Sequence, residues 1–291
     1  MADFITRFAP SPTGLLHLGH AFSALVAFEA ANAADGRFLL RIEDIDQARC
    51  KPEFEQAIYE DLAWLGLLWE EPARRQSDHF DEYKSVLDRL REKGVVYRCF
   101  KTRKEITGEI ARAPHLSPEG PDGASYVGAP LAALEERSLL AQGAAFAWRL
   151  SISAARDVLG DAFEELAFTE EGAGPNGETG RIKATPAIFG DPVIARKDFG
   201  TSYHLASVYD DACAGVTHVI RGQDLFHAAH LHVLIYALLD FKPPAYRCHK
   251  LITDKRGKRF AKRDNSVTLR TLRDSGSTKE DILSKLGFSG A

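Results

Sequence analysis

The chain has 291 residues, of which 45% are hydrophobic and 27% charged, with a net charge of −4. That length holds one large domain or two modest ones with ample core, and the balance excludes both a disordered chain and a protein coated in basic charge. The longest apolar run, residues 233–239, falls far short of the roughly 20 residues of a membrane span, and no basic-then-apolar leader opens the chain. A cytoplasmic protein without a membrane partner is expected. Cys50, Cys99, Cys213 and Cys248 are too widely spread for a metal knuckle or a secreted disulfide framework, so reduced thiols are the default.

In chain order, Phe4, Thr6 and Phe8 alternate with Ile5 and Arg7, which predicts a short strand. Pro10, Ser11, Pro12 and Gly14 end it, because they remove backbone donors and supply turn conformations. A helix follows, with Phe22, Leu25, Val26 and Ala30 at helical spacing and Gly19 near its start, where a missing Cβ lets a ligand approach. Strand, tight turn and helix N-terminus form a phosphate-handling geometry. His17 and His20, three residues apart at that helix start, can point at one bound phosphate.

Residues 37–42 read as a buried strand ending in Glu43-Asp44-Ile45-Asp46, and acidic residues past a strand's carboxyl end lie on the ligand face of an open α/β sheet. Phe54, Ile58, Leu62 and Leu65 predict one amphipathic helix, and Tyr83, Val86, Leu87 and Leu90 another, stopped by Gly94 before a strand at 95–100. Thr102 to Glu105 fits a capping box. Residues 114–130 are rich in Pro, Gly and Ser, a helix is predicted at 131–142 and a strand at 145–152, and 170–180 is a second glycine-rich loop. The strand-helix rhythm resumes with a strand at 192–197, a helix at 203–213, a strand at 216–221 and a helix at 225–239. His227, His230 and His232 on the last helix lack a completing cysteine or carboxylate pair and are expected to be structural. Between residues 242 and 263 stand nine Lys or Arg against the single acid Asp254, a local basic patch.

Alternating strands and helices imply a parallel sheet. The expected fold class is α/β, a Rossmann-like parallel sheet in two halves, 1–96 and 188–240, with an inserted subdomain at 97–187. The remainder, 241–291, is expected to be a loop and a short helical segment.

His17-Leu18-Gly19-His20 resembles the HIGH signature of class I aminoacyl-tRNA synthetases, and residues 7–14, Arg-Phe-Ala-Pro-Ser-Pro-Thr-Gly, resemble the leader of the glutamyl branch. Residues 41–46, Arg-Ile-Glu-Asp-Ile-Asp, are similar to the family's second glutamate-site motif, and residues 203–211 to its tyrosine-bearing helix. Residues 221–225 resemble an Arg-Gly-Glu-Asp-Leu segment with Gln223 at the glutamate position. Residues 257–263 stand where the KMSKS loop belongs, without the serine that often precedes its lysine, Lys262. Only 28 residues follow Arg263, which makes the resemblance closest to the truncated glutamyl-queuosine tRNA(Asp) synthetase branch and leads to the expectation of no anticodon-binding domain.

That resemblance implies ATP-dependent activation of L-glutamate as an adenylate without tRNA, then transfer to queuosine in the anticodon loop of tRNA(Asp). A conventional glutamyl-tRNA synthetase fragment and a non-catalytic glutamate- or nucleotide-binding paralogue stay open. The implied glutamate contacts are Arg7, Phe8, Ala9, Pro10, Ser11, Glu43, Tyr203 and Arg221. Arg7 and Arg221 would clamp carboxylates, which guanidinium groups bind through paired donors, while Glu43 receives the ammonium. His17, Gly19, His20 and Lys262 would hold ATP, with His17, His20 and Lys262 catalytic and Mg2+ carried by the triphosphate. The branch commonly carries zinc on an inserted Cys-x-Cys pair with a later tyrosine and cysteine. The corresponding positions here are Cys99, Lys101, Tyr126 and Pro130, so no zinc is expected, and a monomer is.

Overall fold

The computed structural model describes residues 3–112, 118–121, 123–198, 200–252 and 267–288. The KMSKS-like stretch with Lys262 lies outside the described residues. Ile5–Phe8 pairs in parallel with Arg37–Ile42, which pairs in parallel with Glu70–Arg75. On the other side, His218–Gly222 pairs in parallel with Ala245–His249, and that strand with Ala167–Glu170, whose outer edge carries antiparallel Gly180–Lys183. The two ladders meet where Thr217 N–H donates to the Ile5 carbonyl at 2.9 Å and Ile5 N–H donates to Thr217 Oγ1 at 2.8 Å. Strand order runs outward in both directions from this seam, the switch point of a doubly wound sheet, so a crevice opens at the carboxyl ends of Ile5–Phe8 and His218–Gly222.

The helix Leu18–Ala33 buries Leu18, Leu25 and a row of alanines, Ala21, Ala24, Ala27 and Ala31. Small residues let its backbone approach the strands, and the larger Phe22 and Val26 stay half-buried at the margin of the same core. Glu70–Arg75 was not predicted from the sequence. It is a polar, partly exposed strand with a proline, so it carries no hydrophobic alternation. The predicted strand at 145–152 ends at Leu150, because Ser151 caps the helix Ile152–Leu159 by accepting the Ala154 N–H at 3.2 Å.

The region expected to be inserted, 97–187, does not close on itself. Val96–Cys99, Ala147–Leu150 and Val193–Arg196 form an antiparallel sheet, while Ala167–Glu170 and Gly180–Lys183 join the parallel one. Asp191 ties the antiparallel layer together, accepting from Tyr97 Oη at 2.9 Å, Gly128 N–H at 2.9 Å and Ile152 N–H at 3.1 Å.

The helices Leu269–Asp274 and Lys279–Leu286 return to the first half of the sheet, and Thr278 caps the second through a capping box with Asp281, within the stretch expected to hold a short helical segment. Leu269 N–H bonds the Leu16 carbonyl at 2.8 Å and Thr268 bridges to His17, which fastens this segment beside the first helix start. Beneath it, Asp61 is fully buried, neither carboxylate oxygen has a hydrogen bond, and Arg273 Nη1 stands 3.4 Å away. Burial pushes the Asp61 carboxyl up to about 6 against the pull of Arg273 and Arg270. An acid raised above its unfolded value of ~3.9 binds protons more tightly when folded, so its cost to stability is absent at low pH and complete above the folded value. Relative to the unchanged chain, Asp61→Asn should therefore gain stability between pH 5 and pH 8, by roughly 1–2 kcal/mol. Urea denaturation at the two pH values measures this, and an identical difference at both would show that Asp61 does not titrate in that window.

Candidate active site

A cleft of about 390 Å³ lies at the seam of the sheet. Arg7, Phe8 and Ala9 reach it from the end of the first strand, His17, Gly19, His20 and Phe22 from the first helix, and Glu43 from just past the second strand. Tyr203 enters at the start of Tyr203–Cys213, Arg221 and Gly222 end the strand His218–Gly222, and Asp224 and Leu225 follow it. The cleft thus gathers most of the expected site. Pro10 and Ser11 are not among its lining residues. Ser11 is exposed and Pro10 buried, and they act as a turn: the Pro10 carbonyl accepts the Glu43 N–H at 3.0 Å and the Ser11 carbonyl accepts the Thr13 N–H at 2.8 Å.

Four adjacent parallel strands, Glu70–Arg75, Arg37–Ile42, Ile5–Phe8 and His218–Gly222, each carry an arginine near the carboxyl end: Arg74, Arg41, Arg7 and Arg221. Helix Tyr203–Cys213 supplies two buried carboxylates to the first three. Asp210 accepts from Arg74 Nε at 2.8 Å, Gln76 Nε2 at 2.8 Å and Tyr83 Oη at 3.0 Å. Asp211 accepts from Arg7 Nε at 2.9 Å, Arg7 Nη2 at 3.3 Å and Arg41 Nη1 at 2.5 Å. Burial alone would raise the Asp211 carboxyl, but the guanidinium groups of Arg41 and Arg7 hold it below its ordinary value. Arg41 Nη2 then bonds Glu43 at 3.0 Å and Ser207 Oγ adds a donor at 3.2 Å, while burial pushes the Glu43 carboxyl up against the pull of Arg41.

Arg221 receives no such partner. It is 5% exposed, its guanidinium lies 4.8 Å from the Tyr246 ring centroid, and Nε, Nη1 and Nη2 are all buried without a hydrogen-bond partner. A buried guanidinium with unfilled donors is a standing cost that an incoming carboxylate relieves. Near Arg221, Arg7 and Arg41 are offset by Glu43 and Asp211, which leaves one positive charge in excess among these five groups, with Asp224 a further carboxylate in the lining. A zwitterionic amino acid with an acidic side chain has the complementary single negative charge.

At the helix start, His17 Nδ1 accepts the Gly19 N–H at 3.1 Å and His20 Nδ1 accepts the His17 N–H at 3.2 Å, a capping box made of imidazoles. Because both Nδ1 atoms accept, the proton of each neutral ring sits on Nε2. The rings stack with centroids 3.8 Å apart. Two ring donors and a helix N-terminus on one side of the cleft suit a phosphate. Phe22, Leu225, Leu251 and Ile252 supply apolar parts of the lining, and Asp224 adds an exposed carboxylate. His227, His230 and His232 form no metal cluster among the described residues. His230 Nδ1 accepts the Thr185 N–H at 3.1 Å and His232 Nε2 lies 3.1 Å from His204 Nδ1, as expected of structural histidines.

Sequence reasoning missed Arg41, Asp211, Phe22, Asp224 and His249. Arg41 and Asp211 stood inside quoted motifs, but their pairing joins residues distant in sequence. His249 and Ile252 fell in a stretch read only for its charge.

The model of class I tRNA synthetases (E and Q), catalytic domain, matches residues 3–291. The chain belongs to that family. Among members of this synthetase family, it is 45% identical to a Rhodobacter capsulatus protein named glutamyl-Q tRNA(Asp) synthetase, covering 98% of this chain and 100% of the relative. A Symbiobacterium thermophilum protein of the same name is 38% identical over 97% of this chain and 85% of its own. A crystal structure of a glutamate tRNA ligase from Elizabethkingia meningosepticum in complex with its amino acid superposes with a TM-score of 0.77 at 25% identity. That match covers 98% of this chain and 60% of the ligase.

At the positions that correspond to a zinc site in the branch, the donor set does not fit a metal. Cys99 is the one thiol, and Lys101 places its own cation there: Nζ bonds Glu109 at 2.7 Å and lies 5.5 Å from the Tyr126 ring centroid. Arg149 covers the same ring at 4.7 Å. An ammonium beside a lone thiol repels Zn2+, which requires about four deprotonated donors. Elemental analysis of the purified protein is expected to find no stoichiometric zinc; one zinc per chain would overturn this reading of Lys101.

Proposed function

We propose that this chain activates L-glutamate with ATP, without needing tRNA, and transfers it to queuosine in the anticodon loop of tRNA(Asp). The observation that carries the first half is Arg221, a buried guanidinium with no carboxylate partner in the cleft wall. The second half rests on resemblance, since the relatives matched along 100% and 85% of their length are those named for that reaction.

Glutamate would lie against Arg7, Glu43, Tyr203 and Arg221, with its ammonium on Glu43. The apolar side chains of Phe22, Leu225 and Leu251 would pack on the adenine, and the Asp224 carboxylate would take the ribose hydroxyls. The amino-acid carboxylate attacks the α-phosphorus: a new C(O)–O–P bond forms, the bridging P–O bond breaks, and pyrophosphate leaves. Such a step needs positioning and charge neutralisation more than a nucleophilic side chain. His17 and His20 would donate from Nε2 to the α-phosphate oxygens, and Mg2+ would travel with the triphosphate as part of the substrate. Lys262 is assigned to the departing pyrophosphate by resemblance alone. The described residues on either side of its segment, Ile252 in the cleft wall and Thr268 against His17, both adjoin the site.

Glutamate-dependent exchange of labelled pyrophosphate into ATP should proceed without tRNA, and glutamine should not replace glutamate. Lys262→Ala should slow exchange at least ~100-fold with little change in glutamate affinity, since its contact grows as charge develops. With ATP and labelled glutamate, label should enter queuosine-containing tRNA(Asp) trimmed of its 3′ adenosine and should not enter queuosine-free tRNA(Asp). Labelling that requires the 3′ adenosine, or that ignores queuosine, would favour a conventional glutamyl-tRNA synthetase activity. Absence of exchange would favour a binding protein.

A further inference from the structure

Two of the three charged groups through which the cleft would grip an amino acid, Arg7 and Glu43, hang from one carboxylate that does not itself line the cleft. Asp211 holds Arg7 by a two-point bond at 2.9 and 3.3 Å and holds Arg41, whose other terminal nitrogen holds Glu43 at 3.0 Å. Neither Arg41 nor Asp211 is among the lining residues, and both are buried. We propose that Asp211 is the positioning residue of the amino-acid half of the site, setting the place of Arg7 and Glu43 without touching substrate.

The charge argument points the same way. Without a carboxylate between them, Arg7 and Arg41 would be two buried like charges with open donors, free to turn toward Glu43 or toward the ligand. Asp211 takes the Nε–H and one Nη2–H of Arg7, so the end of that guanidinium formed by Nη1 and Nη2 is what remains for a ligand, whereas no nitrogen of Arg221 has a hydrogen-bond partner. The site is therefore asymmetric: Arg7 already has a carboxylate partner and Arg221 has none.

Asp210, the preceding residue on the same helix, separates positioning from simple stability. It is equally buried and bonds Arg74, Gln76 and Tyr83, and its approach toward the site is limited to Arg41 Nε at 3.8 Å. Both Asp210→Asn and Asp211→Asn should lower the melting temperature. Only Asp211→Asn should raise the KM for glutamate, by about tenfold or more, with the KM for ATP and the saturated rate of pyrophosphate exchange within roughly threefold of the unchanged chain.

The inference rests on the proposed glutamate activation, and exchange by the unchanged chain tests that reading separately. Glutamate-induced thermal stabilisation gives a second readout that needs no turnover. If Asp211→Asn does not fold, Asp211→Glu keeps the charge and moves it by one methylene, and the same selective rise in glutamate KM is expected. Equal effects of Asp210→Asn and Asp211→Asn on glutamate KM would overturn the proposal. So would an equal rise in glutamate and ATP KM, or a glutamate KM unmoved by the Asp211 changes.

Discussion

The cleft depends on an imbalance of charge across four strand ends. Arg74, Arg41, Arg7 and Arg221 stand in a row, and the consecutive carboxylates of Asp210 and Asp211 satisfy the first three. Buried ions are tolerated when paired and hydrogen-bonded, and leaving one unpaired costs several kcal/mol. Helix Tyr203–Cys213 therefore serves as a neutralising strut on one side of the seam and leaves Arg221 without a carboxylate on the other. Under the proposed function, that cation is what gives the cleft a preference for an anionic ligand.

The seam supplies the rest of the chemistry. Reversal of strand order brings the first helix start and the end of His218–Gly222 to opposite walls of one crevice, so the imidazole donors of His17 and His20 share a space with Arg221. The segment after the second half returns to the same place, with Leu269 bonded to Leu16 and Thr268 to His17. The proposed phosphate contacts His17 and His20 and the anchor of the C-terminal helices thus lie within a few residues of Gly19.

Much of this was legible in the sequence, and the reasons are local. The strand-turn-helix at residues 4–20 is set by alternation, prolines and a glycine, and Arg7, His17 and His20 came with it. Glu43, Tyr203 and Arg221 were legible through motifs at strand and helix ends. Legibility failed where the determining contact is remote or polar. Glu70–Arg75 has no apolar alternation, Asp211 acts across 204 residues of sequence, and Pro10 and Ser11 shape a turn from a position that sequence alone could not separate from the pocket wall. The domain division blurred for the same reason, since Ala167–Glu170 joins a sheet that the local pattern does not announce.

If the unpaired Arg221 is what makes this a glutamate site, its replacement should act oppositely on the empty and occupied protein. Thermal unfolding of Arg221→Met with and without glutamate reads both. The account predicts that the variant, freed of a buried unpaired charge, melts at or above the unchanged chain when empty, and that saturating glutamate no longer raises its melting temperature. A variant that melts lower when empty yet is stabilised by glutamate as strongly as the unchanged chain would contradict it.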